Sequence, residues 1–236
     1  MEMVMPPAYP RSGMVGPFGW AGTARERSAR RPGWYSQSIV AILSCQCPFG
    51  RLDPMNGDPS QLVRLFHRRW SVPILAQMQA NGGCRFAQLT NALEAGRQPV
   101  RDALDALIEL GLVQPNPGYG HPLRPEYILT RRGGVVGPAS AALMTALRHA
   151  EAVDVGLRKW SMPTLASVGL GATRFGEIAH TLGDATDRAL SHALGALGEV
   201  GLIERAIADG RPPVPRYGLT RAGSRVHAPV VELVSP

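Results

Sequence analysis

The sequence has few residues of the kinds that mark secreted or membrane proteins. Its 236 residues include three cysteines, Cys45, Cys47 and Cys84, an odd and sparse set that argues against a disulfide framework. It has no apolar run of roughly eighteen residues, so no transmembrane helix is predicted. Its N-terminus lacks a basic segment followed by a clean apolar core, so no signal peptide is expected. We therefore predict a cytoplasmic protein that does not contact membranes.

Motifs for catalysis are also missing from the sequence. It contains no P-loop, no Gly-x-Ser-x-Gly and no His-Glu-x-x-His. Its six histidines are scattered without partners at metal-ligand spacing, and Cys45-Gln46-Cys47 offers too few ligands for zinc. We predict no enzyme activity, no metal and no cofactor. Cys45 and Cys47 are a candidate redox pair, whereas Cys84 is expected to be structural.

The net charge of +7 comes almost entirely from arginine, since Lys159 is the sole lysine. Residues 57–150 hold ten basic and six acidic side chains, whereas residues 151–236 hold nine of each. A basic balance is compatible with nucleic-acid binding. The neutral C-terminal part tempers that expectation, because phosphate contacts supply much of the affinity for DNA.

What the sequence does contain is an internal repeat of about ninety residues, the size of a small domain. Four blocks recur in the same order. The first copies are Trp70-Ser71-Val72-Pro73-Ile74-Leu75, Arg85-Phe86, Leu107-Ile108-Glu109-Leu110-Gly111-Leu112-Val113 and Tyr127-Ile128-Leu129-Thr130 followed by Gly133. The second copies begin at Trp160, Arg174, Leu197 and Tyr217. The repeat predicts one domain duplicated within one polypeptide.

The chain accordingly divides into four predicted parts. Residues 1–56 are rich in Pro, Gly, Ser and Arg without a period and are expected to be largely disordered; Met55 could also lie near the true start. Residues 57–138 form the first domain and residues 159–236 the second. Between them, residues 139–158 are expected to form a connecting helix that starts after Pro138.

Each repeat predicts the element order of a winged helix-turn-helix. Apolar spacing gives a short helix, a turn and a second helix, which in the first copy carries Val100, Leu104 and Leu107 on one face. Gly111 and Gly201 end these second helices, and two short extended segments around a loop follow as a wing. In such modules the helix after the turn enters the DNA major groove. The aromatic residues Trp70, Trp160, Phe86 and Phe175 are expected in the cores.

The four blocks resemble the HxlR-type family of bacterial transcription regulators. That family runs Trp-x-x-x-Ile-Leu, Arg-Phe-x-x-Leu, Leu-x-x-Leu-x-x-x-Gly-Leu-Val and Tyr-x-Leu-Thr-x-x-Gly, and both repeats carry versions of all four, over residues 60–236. The resemblance implies two tandem winged helices, mainly helical with small β-hairpin wings. Because members dimerise through terminal helices, it also implies an intrachain pseudo-dimer. The family's usual Gly-Gly-Lys is His67-Arg68-Arg69 here, and the arginine after Gly-Leu-Val is Gln114.

The candidate DNA-binding residues lie on the two recognition helices, the helices that follow each turn, and on the wings. Arginine and glutamine can contact guanine and adenine edges through two hydrogen bonds. The alternative for Arg101 is a simple ion pair with Asp105 one helical turn away. The candidates are Arg97, Gln98, Arg101, Arg124, Arg188, Ser191, His192, Arg211 and Arg216.

Two functions from different classes follow from these observations. The first is a sequence-specific regulator that binds double-stranded DNA as a monomeric pseudo-dimer, with a small-molecule effector and further dimerisation as options. Because the two recognition helices differ, its DNA site should be asymmetric. The alternative is a drug-sequestering or self-resistance protein that binds an apolar ligand between the repeats and has weakened DNA binding. The aspartates on the first recognition helix and the neutral second repeat keep this alternative open.

Overall fold

The computed structural model describes residues 59–118, 125–208 and 213–234. The segment 1–56, with Cys45 and Cys47, lies outside these ranges, so its predicted disorder and redox role stay predictions. Within the described ranges, ten helices and five strands follow one another in two similar series. The fold is thus mainly helical with small antiparallel strand pairs, as predicted.

The first series contains five helices and a small sheet. The helices are α1 (Pro59–Leu65), α2 (Ser71–Asn81), α3 (Phe86–Ala92), α4 (Arg97–Glu109) and α5 (Arg131–His149). The strands are β1 (Cys84–Arg85), β2 (Val113–Pro115) and β3 (Glu126–Leu129), with β3 in the middle. Antiparallel pairing places Cys84 opposite Tyr127 and Val113 opposite Leu129. The sheet joins the start of the helix-turn-helix to the wing.

The second series repeats this order with a longer hairpin. Its helices are α6 (Val153–Gly156), α7 (Ser161–Gly169), α8 (Phe175–Leu182), α9 (Asp187–Glu199) and α10 (Arg221–Glu232). Its strands are β4 (Ile203–Ala208) and β5 (Val214–Leu219), which pair over their whole length. The Tyr217 N–H donates to the Thr173 carbonyl at 2.8 Å, where the first repeat has the pairing of β1 with β3.

The helix between the repeats differs from the prediction. Instead of running from Pro138 toward Arg158, α5 begins at Arg131 and ends at His149, and the separate α6 follows. Thr130 starts α5, because its side chain accepts from the Gly133 N–H at 3.1 Å. Pro138 therefore lies inside the helix, where its missing N–H leaves the carbonyl of the exposed Gly134 to solvent. The division at residues 57–138, 139–158 and 159–236 stays a prediction.

The repeated Thr-x-x-Gly block has a structural cause in both copies. The Thr130 and Thr220 hydroxyls cap α5 and α10, and they donate to the carbonyls of Gly111 and Gly201 at 2.7 and 2.6 Å. The glycine three residues later lies against the backbone of the preceding helix end. A Cβ on Gly133 would overlap the Leu112 carbonyl, and one on Gly223 would overlap the Leu202 carbonyl. The block therefore locks each wing onto its helix bundle.

One hydrophobic core runs through both repeats, and their described residues belong to a single compact unit. The equivalent helices α5 and α10 pack on each other, as identical elements do across a two-fold axis. Helix α1 of the first repeat packs on α7 and α8 of the second. The ion pair between Arg69 and Asp154 adds a polar contact between the repeats. This arrangement is the predicted intrachain pseudo-dimer.

The same helix pair is packed in opposite ways in the two repeats. Where α2 meets α5, Gln79 fills the space over Gly137, and a Cβ on Gly137 would collide with its side chain. Where α7 meets α10, the equivalent positions are exchanged, because Gly169 lies beneath His227. The His227 ring is partly buried, and its Nε2 has no hydrogen-bond partner among the described residues. The side chain that fills this contact therefore comes from α2 in the first repeat, as Gln79, and from α10 in the second, as His227.

Candidate nucleic-acid interface

Helices α3 and α4 form one helix-turn-helix and helices α8 and α9 form the other. In the first turn Glu94 takes a left-handed backbone with φ of 48°, a conformation that glycine tolerates better; Gly183 has φ of 55° in the second. Gly96 precedes α4 without a side-chain cap. Thr186 caps α9 by accepting from the Ala189 N–H at 3.3 Å.

Each recognition helix buries one face and exposes the other. The buried face of α4 holds Val100, Ala103, Leu104 and Leu107, and that of α9 holds Leu190, Ala193, Leu194, Ala196 and Leu197. The sequence candidates on these helices are all exposed: Arg97, Gln98, Arg101, Arg188, Ser191 and His192. Both helices therefore present polar side chains to solvent at the positions where a winged helix contacts base edges.

On α4 these polar side chains contact other residues of the protein. The guanidinium groups of Arg97 and Arg101 lie 5.6 and 4.7 Å from the centre of the Phe86 ring, at cation–π distance. The Gln98 side-chain amide donates to the Asp102 carboxylate at 2.6 Å. That carboxylate also pairs with Arg68, 3.9 Å away in the turn before α2. The ion pair considered between Arg101 and Asp105 is not formed, because Arg101 stacks on Phe86 instead.

On α9 the equivalent side chains are unengaged. Within the described ranges, no hydrogen bond or ion pair involves the side chains of Arg188, Ser191 or His192. Ser191 stands where Arg101 stands in the first repeat, so no arginine from that position covers Phe175. His192 takes the place of Asp102, so this face also lacks the carboxylate that contacts Gln98 and Arg68 in the first repeat. The second recognition helix is thus open to a partner.

The second wing carries arginines on both of its faces. In the β4–β5 hairpin Arg205 lies opposite Tyr217 and Arg216 lies opposite Ala206, and both arginines are exposed. Because neighbouring pairs in a strand alternate between faces, the two arginines point to opposite sides of the ribbon. Ile207, 66% exposed, shares the face of Arg205. The wing candidates Arg124 and Arg211 lie outside the described residues.

The comparison with protein families fits this geometry. The family model for the HxlR-like helix-turn-helix matches the chain twice, over residues 65–151 and 155–235. The chain belongs to the HxlR-like family. Comparison with curated proteins and with solved structures finds no match. The double match confirms the tandem duplication of a domain that functions in DNA binding and transcription regulation.

The start of each HxlR-like helix-turn-helix is held by a side chain that accepts backbone N–H groups. The Gln88 side chain accepts from the Arg85 N–H at 2.8 Å. Its equivalent Glu177 accepts from Arg174 and Thr173 at 3.0 and 2.8 Å. These backbone hydrogen bonds, that from Arg174 first, lower the pKa of the Glu177 carboxyl below its ordinary value. The contact fixes the entry to α8 and so the orientation of the helix pair.

Cys84 fits the structural role expected for it in the first HxlR-like repeat. Its side chain is buried, and burial raises the pKa of the thiol. A raised pKa keeps the thiol protonated near neutral pH and therefore poorly reactive. Among the described residues, no group of three or more metal-ligating side chains comes together. No helix in those ranges is both long and apolar enough to cross a bilayer.

Three features of the interface were missed in the sequence. Arg205 was not among the candidates, although the strand register places it on the exposed ribbon. The contact of Arg68 with Asp102 joins residues far apart in the chain, and no local pattern indicates it. Stacking of two arginines on Phe86 was missed because Phe86 was assigned to the core, while it is only half-buried. The sequence signal for the partial exposure of Phe86 was its position at the start of the short helix before the turn.

Proposed function

We propose that this HxlR-like protein is a sequence-specific regulator that recognises an asymmetric site on double-stranded DNA. The observation that carries the proposal is the exposed, unengaged polar face of α9, with Arg188, Ser191 and His192. Side chains without internal partners can form hydrogen bonds with base edges at no cost in broken protein contacts. Arg205 and Arg216 on the adjacent wing supply phosphate or minor-groove contacts.

The first repeat has a different role in this proposal. Its candidate residues Arg97, Gln98 and Arg101 must leave internal partners before they contact bases. We expect them to contribute mainly charge and orientation. As α5 and α10 pack on each other, the two recognition helices can address one side of the duplex about one helical turn apart. A single chain then occupies the whole site, in the cytoplasm where the DNA is.

Titration of labelled promoter DNA tests the proposal most simply. Fluorescence anisotropy with fragments from the protein's own gene neighbourhood should give much tighter binding than random duplexes of the same length. Affinity should fall steeply with salt, because phosphate contacts release counterions. Equal affinity for native and random DNA at physiological salt would reject the sequence-specific regulator.

A second proposal concerns an effector. An open, mainly apolar groove of about 600 Å³ lies between α5 and α10. Five alanines and Thr145 line it, together with His149 and Arg225. The groove lies on the helix pair that joins the two repeats, so a small ligand with an apolar body and an acidic group could alter their relative placement. Such a ligand would either be an effector that regulates DNA binding or, in the sequestering alternative, be the compound that the protein captures.

The dye 8-anilinonaphthalene-1-sulfonate is a suitable probe, because it combines aromatic rings with one sulfonate. Its fluorescence should rise on binding to the native protein, and Ala142→Leu should reduce that rise by filling the groove. Ala228→Leu is the matched control, since Ala228 is exposed on α10 and does not line the groove. Equal responses from both variants would exclude this groove. If the dye binds but does not change DNA affinity, the result favours the sequestering function over regulation by an effector.

A further inference from the structure

The contacts of Asp102 distinguish the first recognition helix from the second. Its carboxylate accepts a hydrogen bond from Gln98 at 2.6 Å and pairs with Arg68 at 3.9 Å. The Arg68 and Asp102 side chains are 47% and 36% exposed, so the pair lies at the surface. Asp102 is a fixed anion placed among donors on the face that would meet DNA.

The equivalent positions in the second repeat carry only basic groups. Ninety residues on, Arg158 replaces Arg68, Arg188 replaces Gln98 and His192 replaces Asp102. All three side chains are exposed, and within the described ranges they have no ion pair. In the first repeat an acidic side chain fills the place between the two donors. In the second no side chain does so, and an anion from outside can bind there.

We propose that Asp102 is a built-in competitor for DNA phosphate that keeps Arg68 and Gln98 from contacting the duplex. In the second half-site the equivalent Arg158 is free to bind a phosphate, and Arg188 and His192 beside it stay free for the base edges. Asp102 is thereby a specificity-determining residue, because it confines tight contact to one repeat. This inference rests on the proposed DNA-binding function and adds to it both the anti-determinant and the contact made by Arg158.

Paired substitutions on α4 separate this role from a general effect of charge. Asp102→Ala and Asp105→Ala each remove one carboxylate from the same exposed helix, but in the described structure only Asp102 holds other side chains. The probe is a labelled duplex of mixed sequence, about three helical turns long, titrated at several salt concentrations. Asp102→Ala should tighten binding by about fivefold more than Asp105→Ala, the upper end for release of an exposed ion pair.

The salt dependence gives a second readout. Arg68 released onto a phosphate should steepen the plot of log affinity against log salt by roughly 0.9 relative to Asp105→Ala. Both gains should vanish when Arg68→Ala is combined with Asp102→Ala. Asp102→Asn keeps an acceptor for Gln98 but removes the charge that holds Arg68, so it should retain the salt effect.

The reciprocal change tests the second repeat. His192→Asp places a carboxylate between Arg158 and Arg188 and should weaken binding several-fold more than Gly195→Asp. Gly195 is the matched control because it is exposed on α9, where an added Cβ meets nothing within 4 Å. Equal effects of the two aspartates, or equal effects of Asp102→Ala and Asp105→Ala, would overturn the proposal while leaving DNA binding intact. No binding of the wild type to the duplex even at low salt would instead overturn the underlying function.

Discussion

The two recognition helices share a scaffold and differ in what their exposed faces are free to do. On α4, Arg97 and Arg101 cover Phe86, and Gln98 is bound to Asp102. On α9, Arg188, Ser191 and His192 make no comparable contacts within the described ranges. A count of charges would favour the first repeat as the one that recognises DNA, since its part of the chain carries the excess of basic over acidic residues. The contacts favour the second, because charge that is already satisfied must be released before it can bind DNA.

The cores of the two repeats also differ, at one contact between equivalent helices. Gln79 over Gly137 in one repeat becomes Gly169 under His227 in the other, so the same helix contact is filled from opposite sides. Such an exchange preserves the volume that packed interiors require. At this contact the two residues that support the shared fold therefore change as a compensating pair. On the recognition faces the differences are not compensated.

The largest expected effect tests whether the scaffolds really are equivalent. Gly133→Ala and Gly223→Ala should each destabilise the protein by about 3 kcal/mol, because the new Cβ would overlap a backbone carbonyl that cannot move aside easily. Gly134→Ala is the control and should be neutral or stabilising, since no atom lies within 4 Å of its Cβ position in an exposed stretch of helix. Chemical denaturation measures all three. Destabilisation in only one repeat would contradict the shared role of the Thr-x-x-Gly block.

The exchanged packing pair predicts a compensating double variant. Gly169→Gln should cost about 2 kcal/mol, because the new side chain meets the His227 ring. Combined with His227→Gly it reproduces the Gln79–Gly137 arrangement of the first repeat, and most of the loss should be recovered. A double-mutant cycle by thermal or chemical unfolding gives the coupling energy. Purely additive losses would mean that the two contacts are not interchangeable.

Substitution of the arginines sharpens the comparison of the recognition faces. Arg188→Ala should reduce affinity for the preferred DNA site by about 1–3 kcal/mol and relax specificity at the contacted base. Arg101→Ala should cost less, because in the first repeat this side chain is stacked on Phe86. Anisotropy titrations against specific and random duplexes separate the two effects. A larger loss of specificity from Arg101→Ala would reverse the assigned roles.

The smallest expected effect is a difference in pH dependence that His227 gives to the second repeat. Burial of the ring lowers its pKa below the ordinary value near 6.5, although a hydrogen bond to the Ala166 backbone opposes this. The unfolded chain therefore takes up a proton at a higher pH than the folded one. Stability should fall as the pH decreases through and below about 6.5. His227→Gln should flatten that slope in unfolding experiments, with the exposed His180→Gln giving the background change.

The repeated blocks were enough to predict the winged helices, their order and the buried face of α4. These features depend on apolar spacing and on glycines at helix ends, both of which are local in sequence. The start of α5 was misplaced because Pro138 was taken as a helix start, whereas the Thr130 cap lies earlier. Proline is tolerated in this helix interior because the carbonyl that loses its hydrogen bond belongs to the exposed Gly134, one helical turn earlier. The local sequence pattern does not indicate this.

The division of labour between the recognition helices could not be predicted with the same precision. Arg68 meets Asp102 only because the turn before α2 lies next to α4 in the folded chain. Arg101 lies within reach of both Asp105 and Phe86, and only the fold shows that it stacks on the ring. The candidate residues were identifiable from their type and helical position. Which of them are free depends on contacts between separate elements.

Selection of binding sites from a randomised duplex library tests the central claim most directly. Repeated rounds with the wild-type protein, followed by sequencing, give the information content at each base pair. The account predicts a non-palindromic site, with one strongly specified half contacted by α9 and one weakly specified half about a helical turn away. A palindrome with two equally specified halves would contradict the proposed inequality of the repeats.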